Sequence, residues 1–298
     1  MEKWRLGGTG MDVTLLGFGG AEIGFEKAEQ ATVDRLPNSA LDAGLNVIDT
    51  AAGYPASEAK IGNAVSSRRN DFFLFTKCGN SLSNDEQYWN AGALTASIDS
   101  SLADLRTDHV DLVQLHSCSK EILRKGEAIQ ALQRAREAGK TRFIGYSGDN
   151  ANALLAIESG AFDTLQTSVN IADQSSIEDT LPKARAKGMG VIAKRPIANA
   201  AWKTGAKPVN AYHHTYWERL QELKYDFLDG DLETAISIAL RFTLAQAGVA
   251  TAIVGTKNPE RWKANAKLVE AGPLDAGMVA RIRARWKEVA RADWAGQT

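Results

Sequence analysis

The chain has 298 residues, of which 44% are apolar and 24% charged, with 26 Gly and 7 Pro. That length and balance suit one large folded unit with a sizeable core. A net charge of −1 gives no bulk argument for nucleic acid or an acidic membrane surface. Two cysteines, Cys78 and Cys118, make no disulfide framework. No apolar run is long enough to span a membrane, and "MEKWRLGGTG" lacks a signal-peptide core. A soluble cytoplasmic protein is expected.

In chain order, "KWRLGGTGMDVTLL" reads as a hairpin around Gly7 to Gly10, placed to cap the bottom of a barrel. Eight strand-like runs follow: "TLLGFGG", "NVIDT", "FFLFTK", "VDLVQLH", "TRFIGYS", "TLQTSV", "GVIAKRP" and "TAIVGT". Several are apolar without alternation, as in a parallel sheet covered on its outer face. Amphipathic helical segments lie between them. "EILRKGEAIQALQRAREAGK" reads as one helix and "AGMVARIRARWKEVARADW" as a last one. Gly44, Gly139, Gly160 and Gly188 stand where helices end. Eight such units with right-handed crossovers predict a single (β/α)8 barrel over residues 1–298, an α/β fold with a doubly wound sheet as the competitor.

Function in such a barrel sits at the carboxyl ends of the strands. The second strand ends in Asp49, the third in Lys77 and the fourth in His116, and Tyr54 lies on the loop after the second. A lone Asp there is commonly a helix cap, and a lone His is often structural. A buried Lys without a partner is costly, so Lys77 after "FFLFT" is the stronger signal. A free phenol titrates near ~10 and is a weak acid at neutral pH, and an adjacent ammonium lowers that value. Asp49 can hold Lys77, Tyr54 can donate a proton to a carbonyl oxygen gaining charge, and His116 can orient that oxygen. The set suits proton transfer coupled to hydride transfer from a cofactor. No three ligands have metal spacing. His213 and His214 are read as a polar loop, and both cysteines as inert thiols.

The chain resembles the aldo-keto reductases over essentially its full length. "NVIDTAAGYPASEAKIG" resembles that family's strand-two signature, and "FLFTKCG" carries its lysine. "SLADLRTDHVDLVQLHS" resembles the strand-four signature, "AREAGKTRFIGYS" the entry to strand five, and "IVGTKNPERWKANAK" the cofactor-clamping segment. The resemblance implies NAD(P)H-dependent carbonyl reduction. Tyr54 is then the general acid, Lys77 and Asp49 lower its pKa, and His116 orients the carbonyl. It also implies Gly20 at the pyrophosphate and nicotinamide edge, Ser147 and Gln166 on the carboxamide, and Thr256, Lys257, Arg261 and Asn265 at the adenosine end. Arg261 opens a helix and can grip a 2′-phosphate, which favours NADPH, with NADH as the alternative.

The sequence departs from the family at Gly148, where many relatives have asparagine, and at Gly255 and Thr256, where some have Lys and Ser. Lys194 stands where many have an aromatic ring. Lys194 and Arg195 are open to two readings, contact with the cofactor's phosphates or a solvated loop start. The substrate is expected to be a small carbonyl or sugar lined by Ala21, Phe25, Tyr88, Trp89 and Trp202. Trp89 and Trp202 are equally readable as loop packing. No long extension is expected after the last helix, so the pocket is expected to be open. Two other functions fit the same residues: a sugar or polyol dehydrogenase working oxidatively with NAD(P), and a cofactor-loaded regulatory subunit with little turnover. Oligomeric state is not legible.

Overall fold

The structure, a computed structural model, describes residues 1–80 and 83–297. Eight parallel strands close into a barrel: β3 (Leu16–Gly19), β4 (Val47–Asp49), β5 (Phe73–Cys78), β6 (Val110–His116), β7 (Thr141–Ser147), β8 (Thr164–Ser168), β9 (Gly190–Lys194) and β10 (Val249–Gly255). Each pairs with its sequence neighbours, and β10 closes the ring onto β3. The (β/α)8 expectation holds, down to the order of all eight runs.

Two short strands precede the barrel, β1 (Lys3–Arg5) and β2 (Asp12–Thr14), paired antiparallel. "TLLGFGG" is therefore not one strand: Thr14 belongs to the hairpin and Leu16 to the barrel. The hairpin seals the barrel bottom. Gly8 N donates to Gly188 O at 2.8 Å, and a Cβ on Gly7 would stand 2.2 Å from Gly190 N. Only glycine allows that approach.

Strand alternation divides the core. Val47, Phe75, Leu112, Ile192 and Ile253 point inward and pack with Leu6, Met11 and Val13 of the hairpin. Ile48, Leu74, Val113 and Leu115 point outward, into the layer that the helices cover. The next inward positions above Val47, Phe75 and Leu112 are Asp49, Lys77 and Gln114. Period two thus lifts the polar side chains to the mouth while the apolar ones fill the lower barrel.

The helices between strands are α1 (Ala21–Phe25), α2 (Gln30–Asp42), α3 (Ser57–Val65), α4 (Ala91–Leu105), α5 (Lys120–Lys125), α6 (Glu127–Glu137), α7 (Asn150–Ser159), α8 (Ser175–Glu178) and α9 (Thr180–Ala186). Then come α10 (His214–Leu223), α11 (Leu232–Leu244), α12 (Arg261–Glu270) and α13 (Ala276–Val289). The single helix expected between the fourth and fifth barrel strands is two, because Gly126 takes φ +75° and turns the chain. Asn90 caps α4, its side chain accepting from Ala93 N at 2.9 Å. No helix among the described residues is long and apolar enough to cross a membrane.

The last helix stops at Val289 rather than running to Trp294, since Ala290 is extended. Residues 291–297 turn back toward the barrel. Trp294 packs on Trp286 at 5.3 Å between rings, in a second cluster with Trp202, Tyr216 and Tyr225. The tail beyond it reaches the mouth.

Candidate active site

The ends of β4, β5 and β6 bring Asp49, Lys77 and His116 together. Lys77 Nζ donates to Asp49 Oδ2 at 2.6 Å and to the Thr50 carbonyl at 2.8 Å. Both side chains are buried. A buried ammonium and carboxylate are tolerable only as such a pair. Tyr54 sits on the loop after β4, with Lys77 Nζ 5.2 Å from its ring centroid. Its ring meets His116 edge-on at 5.6 Å and Phe25 at 5.5 Å.

Two amides brace the pair from below. Gln166 Nε2 donates to Asp49 Oδ2 at 3.2 Å, and Gln114 Nε2 to Gln166 Oε1 at 3.3 Å. Gln166, expected on a cofactor carboxamide, is turned to Asp49. Gln114 was not anticipated. Its signal was present in the sequence: a polar residue inside the otherwise apolar "LVQL", two positions before His116.

The proton affinities are set by burial and charge. Burial raises the Tyr54 pKa; the Lys77 ammonium lowers it, as expected, but Asp49, expected to lower it as well, raises it because a second negative charge disfavours the phenolate, and the net direction is upward. The phenol is firmly protonated at neutral pH, as a proton donor must be. Burial, then the charges of Lys77, Lys194 and Arg195, hold His116 well below the usual imidazole range. His116 is therefore neutral. Its Nδ1 is buried with no hydrogen-bond partner among the described residues. Burial pushes Cys78 up to about 12 and Cys118 up as well, so neither is a thiolate.

The other expected residues divide. Gly20 N donates to Asp49 O at 2.8 Å, and a Cβ there would stand 2.8 Å from Ser57 Oγ, so α3 packs directly on this backbone. Ser147 is buried at the end of β7, in register with both His116 and Gln166. Gly148 has a reason of its own: a Cβ would stand 2.6 Å from the Tyr146 ring, which is pinned by its hydroxyl to Cys118 O at 2.7 Å. Asparagine has no room there.

Thr256, Lys257, Arg261 and Asn265 lie away from these groups, on the loop after β10 and the first turns of α12. Lys257 pairs with Glu26 at 2.5 Å. Gly255 leaves space for the Glu22 carboxyl, which a Cβ would overlap. Arg261 is exposed and has no carboxylate within 4.0 Å among the described residues.

Of the expected pocket residues, Phe25 is 60% exposed and Tyr88 41%. Ala21 opens α1 beside Gly20. Trp89 is buried in the main core, and its ring fills the space where a Cβ on Gly79 would lie. Trp202 is buried in the second cluster. Loop packing describes both tryptophans.

Lys194 and Arg195 are not a solvated loop start. Lys194 Nζ pairs with Asp149 Oδ2 at 2.8 Å, and the two side chains are 14% and 3% exposed. Burial raises the Asp149 carboxyl, but Lys194 and then Arg195 bring it below its ordinary value. The tail also lies against this side of the mouth. Gly296 exchanges hydrogen bonds with the Asn150 side chain, at 2.7 and 2.9 Å, and Arg219 holds the Ala295 carbonyl at 2.6 Å. The short tail reaches the mouth because the second cluster anchors Trp294 within reach of it.

A closed (β/α)8 barrel with a lysine–aspartate pair, a phenol and a neutral imidazole at its carboxyl mouth defines a class of proton-transfer oxidoreductase sites. The chain matches the Aldo/keto reductase family over residues 15–287. It belongs to that family, whose members are NAD(P)H-dependent oxidoreductases. An uncharacterized oxidoreductase of Bacillus subtilis is 26% identical over 97% of each chain. L-galactose dehydrogenase of Arabidopsis thaliana is 26% identical over 99% of this chain and 97% of its own. Among solved structures, the holo form of the aldo-keto reductase AKR11C1 from Bacillus halodurans superposes with a TM-score of 0.83, at 27% identity over 99% of both chains. An aldo-keto reductase from Klebsiella pneumoniae in complex with NADPH shares the fold, with a TM-score of 0.81 at 21% identity over the whole of both chains.

Proposed function

We propose that this protein, acting as one barrel domain over residues 1–298, reduces an aldehyde or ketone to an alcohol with NADPH, and that Tyr54 is the general acid. The observation that carries this reading is the buried Lys77–Asp49 pair, with its ammonium against the Tyr54 ring and a neutral His116 beside both.

The residues at the mouth fit a nicotinamide cofactor. His116 Nδ1 is an unpartnered buried polar atom next to Tyr54. Ser147, buried at the end of β7 beside Gln166, would hold the nicotinamide end, while the Gln166 amide is engaged with Asp49 and Gln114. Arg261, free of carboxylates among the described residues, opens a ten-residue helix and would hold a 2′-phosphate, with Asn265 one turn on. Gly148 offers no side chain to the same end. The chemistry supplied by the bound cofactor is hydride transfer to the carbonyl carbon. The neutral imidazole of His116 carries one N–H, and donating it to the carbonyl oxygen orients that oxygen. Tyr54 gives its proton to that oxygen as charge develops. Lys77 then stabilises the phenolate left behind, and Asp49, braced by Gln166, keeps Lys77 charged and in place.

NADPH oxidation with a reactive aldehyde tests this reading. Tyr54→Phe should cut kcat by about a hundredfold or more, and undiminished turnover in that variant would sink the mechanism. Arg261→Ala should lower the preference for NADPH over NADH. The name of the Arabidopsis relative favours running the oxidative direction on sugars beside it. A cytoplasmic setting belongs to the same reading, because both cysteines are free and buried. Cell fractionation checks it.

A further inference from the structure

Arg195 is a buried cation without a close counter-ion. It follows β9 directly and takes φ +55°, a left-handed conformation that non-glycine residues seldom adopt. Its side chain is only 12% exposed. Nε donates to Tyr212 Oη at 2.6 Å, and Nη1 donates to Ser168 Oγ at 2.8 Å and to the Gln297 main-chain carbonyl. All three acceptors are neutral. Among the described residues the one carboxylate within 4.0 Å is that of Asp149, at 3.9 Å, and Lys194 already holds it at 2.8 Å. The remaining lone pairs of Asp149 take Thr167 Oγ1 at 2.7 Å and Ser168 N at 2.6 Å. Two cations therefore share one fully occupied carboxylate. Burying a guanidinium in this way is costly unless an anion completes the site.

The place is next to the chemistry. The charge of Arg195 reaches both Tyr54 and His116 and lowers the proton affinity of each. Ser168, which Arg195 holds, stands two positions beyond Gln166 on β8, and Gln166 donates to Asp49 at 3.2 Å, so an anion held at Arg195 would share the mouth with a carbonyl held between Tyr54 and His116.

We propose that Arg195, flanked by Ser168 and Tyr212, is the subsite for a carboxylate carried by the substrate, so that the enzyme takes oxo-acids and acid-bearing aldehydes in preference to neutral carbonyls. The Gln297 carbonyl is then a neutral place-holder, a dipole oxygen where a carboxylate oxygen binds, and the tail yields to the ligand. This rests on the reductase reading above for its chemistry but not for its binding step. The same oxyanion chemistry could come from a cofactor phosphate, and the arms of the test separate the two sources.

Isothermal titration of the protein, with and without saturating NADP⁺, compares pentanoate with pentanamide. The acid should bind about ten- to a hundredfold more tightly than the amide, the range expected of a hydrogen bond to a charged group. Arg195→Gln should equalise the two while leaving NADP⁺ affinity within about twofold, and Arg195→Lys should keep most of the preference. Deleting residues 295–298 should tighten the acid alone, which tests the place-holder without touching Arg195. Equal binding of acid and amide by the wild-type protein overturns the proposal. So does an Arg195→Gln variant that loses NADP⁺ affinity with its acid-to-amide ratio unchanged, since Arg195 then serves the cofactor phosphate. Acid-selective binding without turnover of any carbonyl would instead remove the reductase reading and leave the subsite standing.

Discussion

At the scale of single residues, the Lys77–Asp49 pair joins stability to the proposed chemistry. Lys77→Met leaves a buried carboxylate unpaired, at a cost of about 3–5 kcal/mol. Adding Asp49→Asn should recover part of that loss, and denaturant unfolding of the four proteins in the cycle measures it. His116, held well below its ordinary pKa, should stay neutral through mildly acid pH. Tyr54, raised, should stay protonated through mildly alkaline pH. The kcat/KM profile for reduction should therefore lack an inflection near ~6.5, where an ordinary histidine titrates, and a profile that halves there would contradict the assignment. Gly148→Ala should cost about 1–3 kcal/mol by forcing the Tyr146 ring aside, read as a lowered Tm. Asp49, Lys77 and His116 were legible in the sequence because each ends a largely apolar strand, and Tyr54 because it follows Asp49 on the next loop. The direction of the Tyr54 shift was not, since burial of a loop residue depends on what packs over it, here Phe25 and His116. The role of Gly148 was also hidden, because the ring that excludes a side chain belongs to the residue two positions earlier.

At the scale of elements, Glu58 ties α3 to β5 and α4. It accepts from Thr76 Oγ1 at 2.5 Å and from Ser101 Oγ at 3.0 Å. Burial raises its pKa to about 7. The folded state thus binds a proton that the unfolded chain releases near ~4.5, so stability from this group is full at low pH and is lost as pH rises toward 7. The loss should be on the order of 1–3 kcal/mol. Glu58→Gln should flatten the fall in Tm between pH 5 and about 8, and an unchanged slope would show that another group carries it. Strand order and helix spacing were readable from alternation and from the glycines at 44, 139, 160 and 188, each at positive φ just past a helix. Element ends were less so. Gly126 splits a pattern that reads as one helix, and Ala290 ends another early, because periodicity marks faces and not breaks.

At the scale of the whole molecule, the chain closes both ends of its barrel with sequence-distant segments, the hairpin below and residues 294–297 above. The lower closure was expected from "LGGTG". The upper one was not, because the tail is short and is held mainly through its backbone, by Arg195, Arg219 and Asn150. Such contacts leave no pattern in composition. The pair Asp149 and Lys194 was hidden for a related reason: a charge just past β7 and its partner at the end of β9 meet only across the intervening β8, which leaves no local spacing to read.

The amides of Gln114 and Gln166 join Asp49 across the lumen, so that β4, β6 and β8 are fastened to one another just beneath the reacting groups. This layer is a hydrogen-bonded floor in place of a greasy one. It fixes the spacing of the strands that carry the acid–base groups, while the walls above it come from loops and the tail. Substitutions in those walls can therefore change which ligand the mouth admits without retuning Lys77, and a change in the floor cannot.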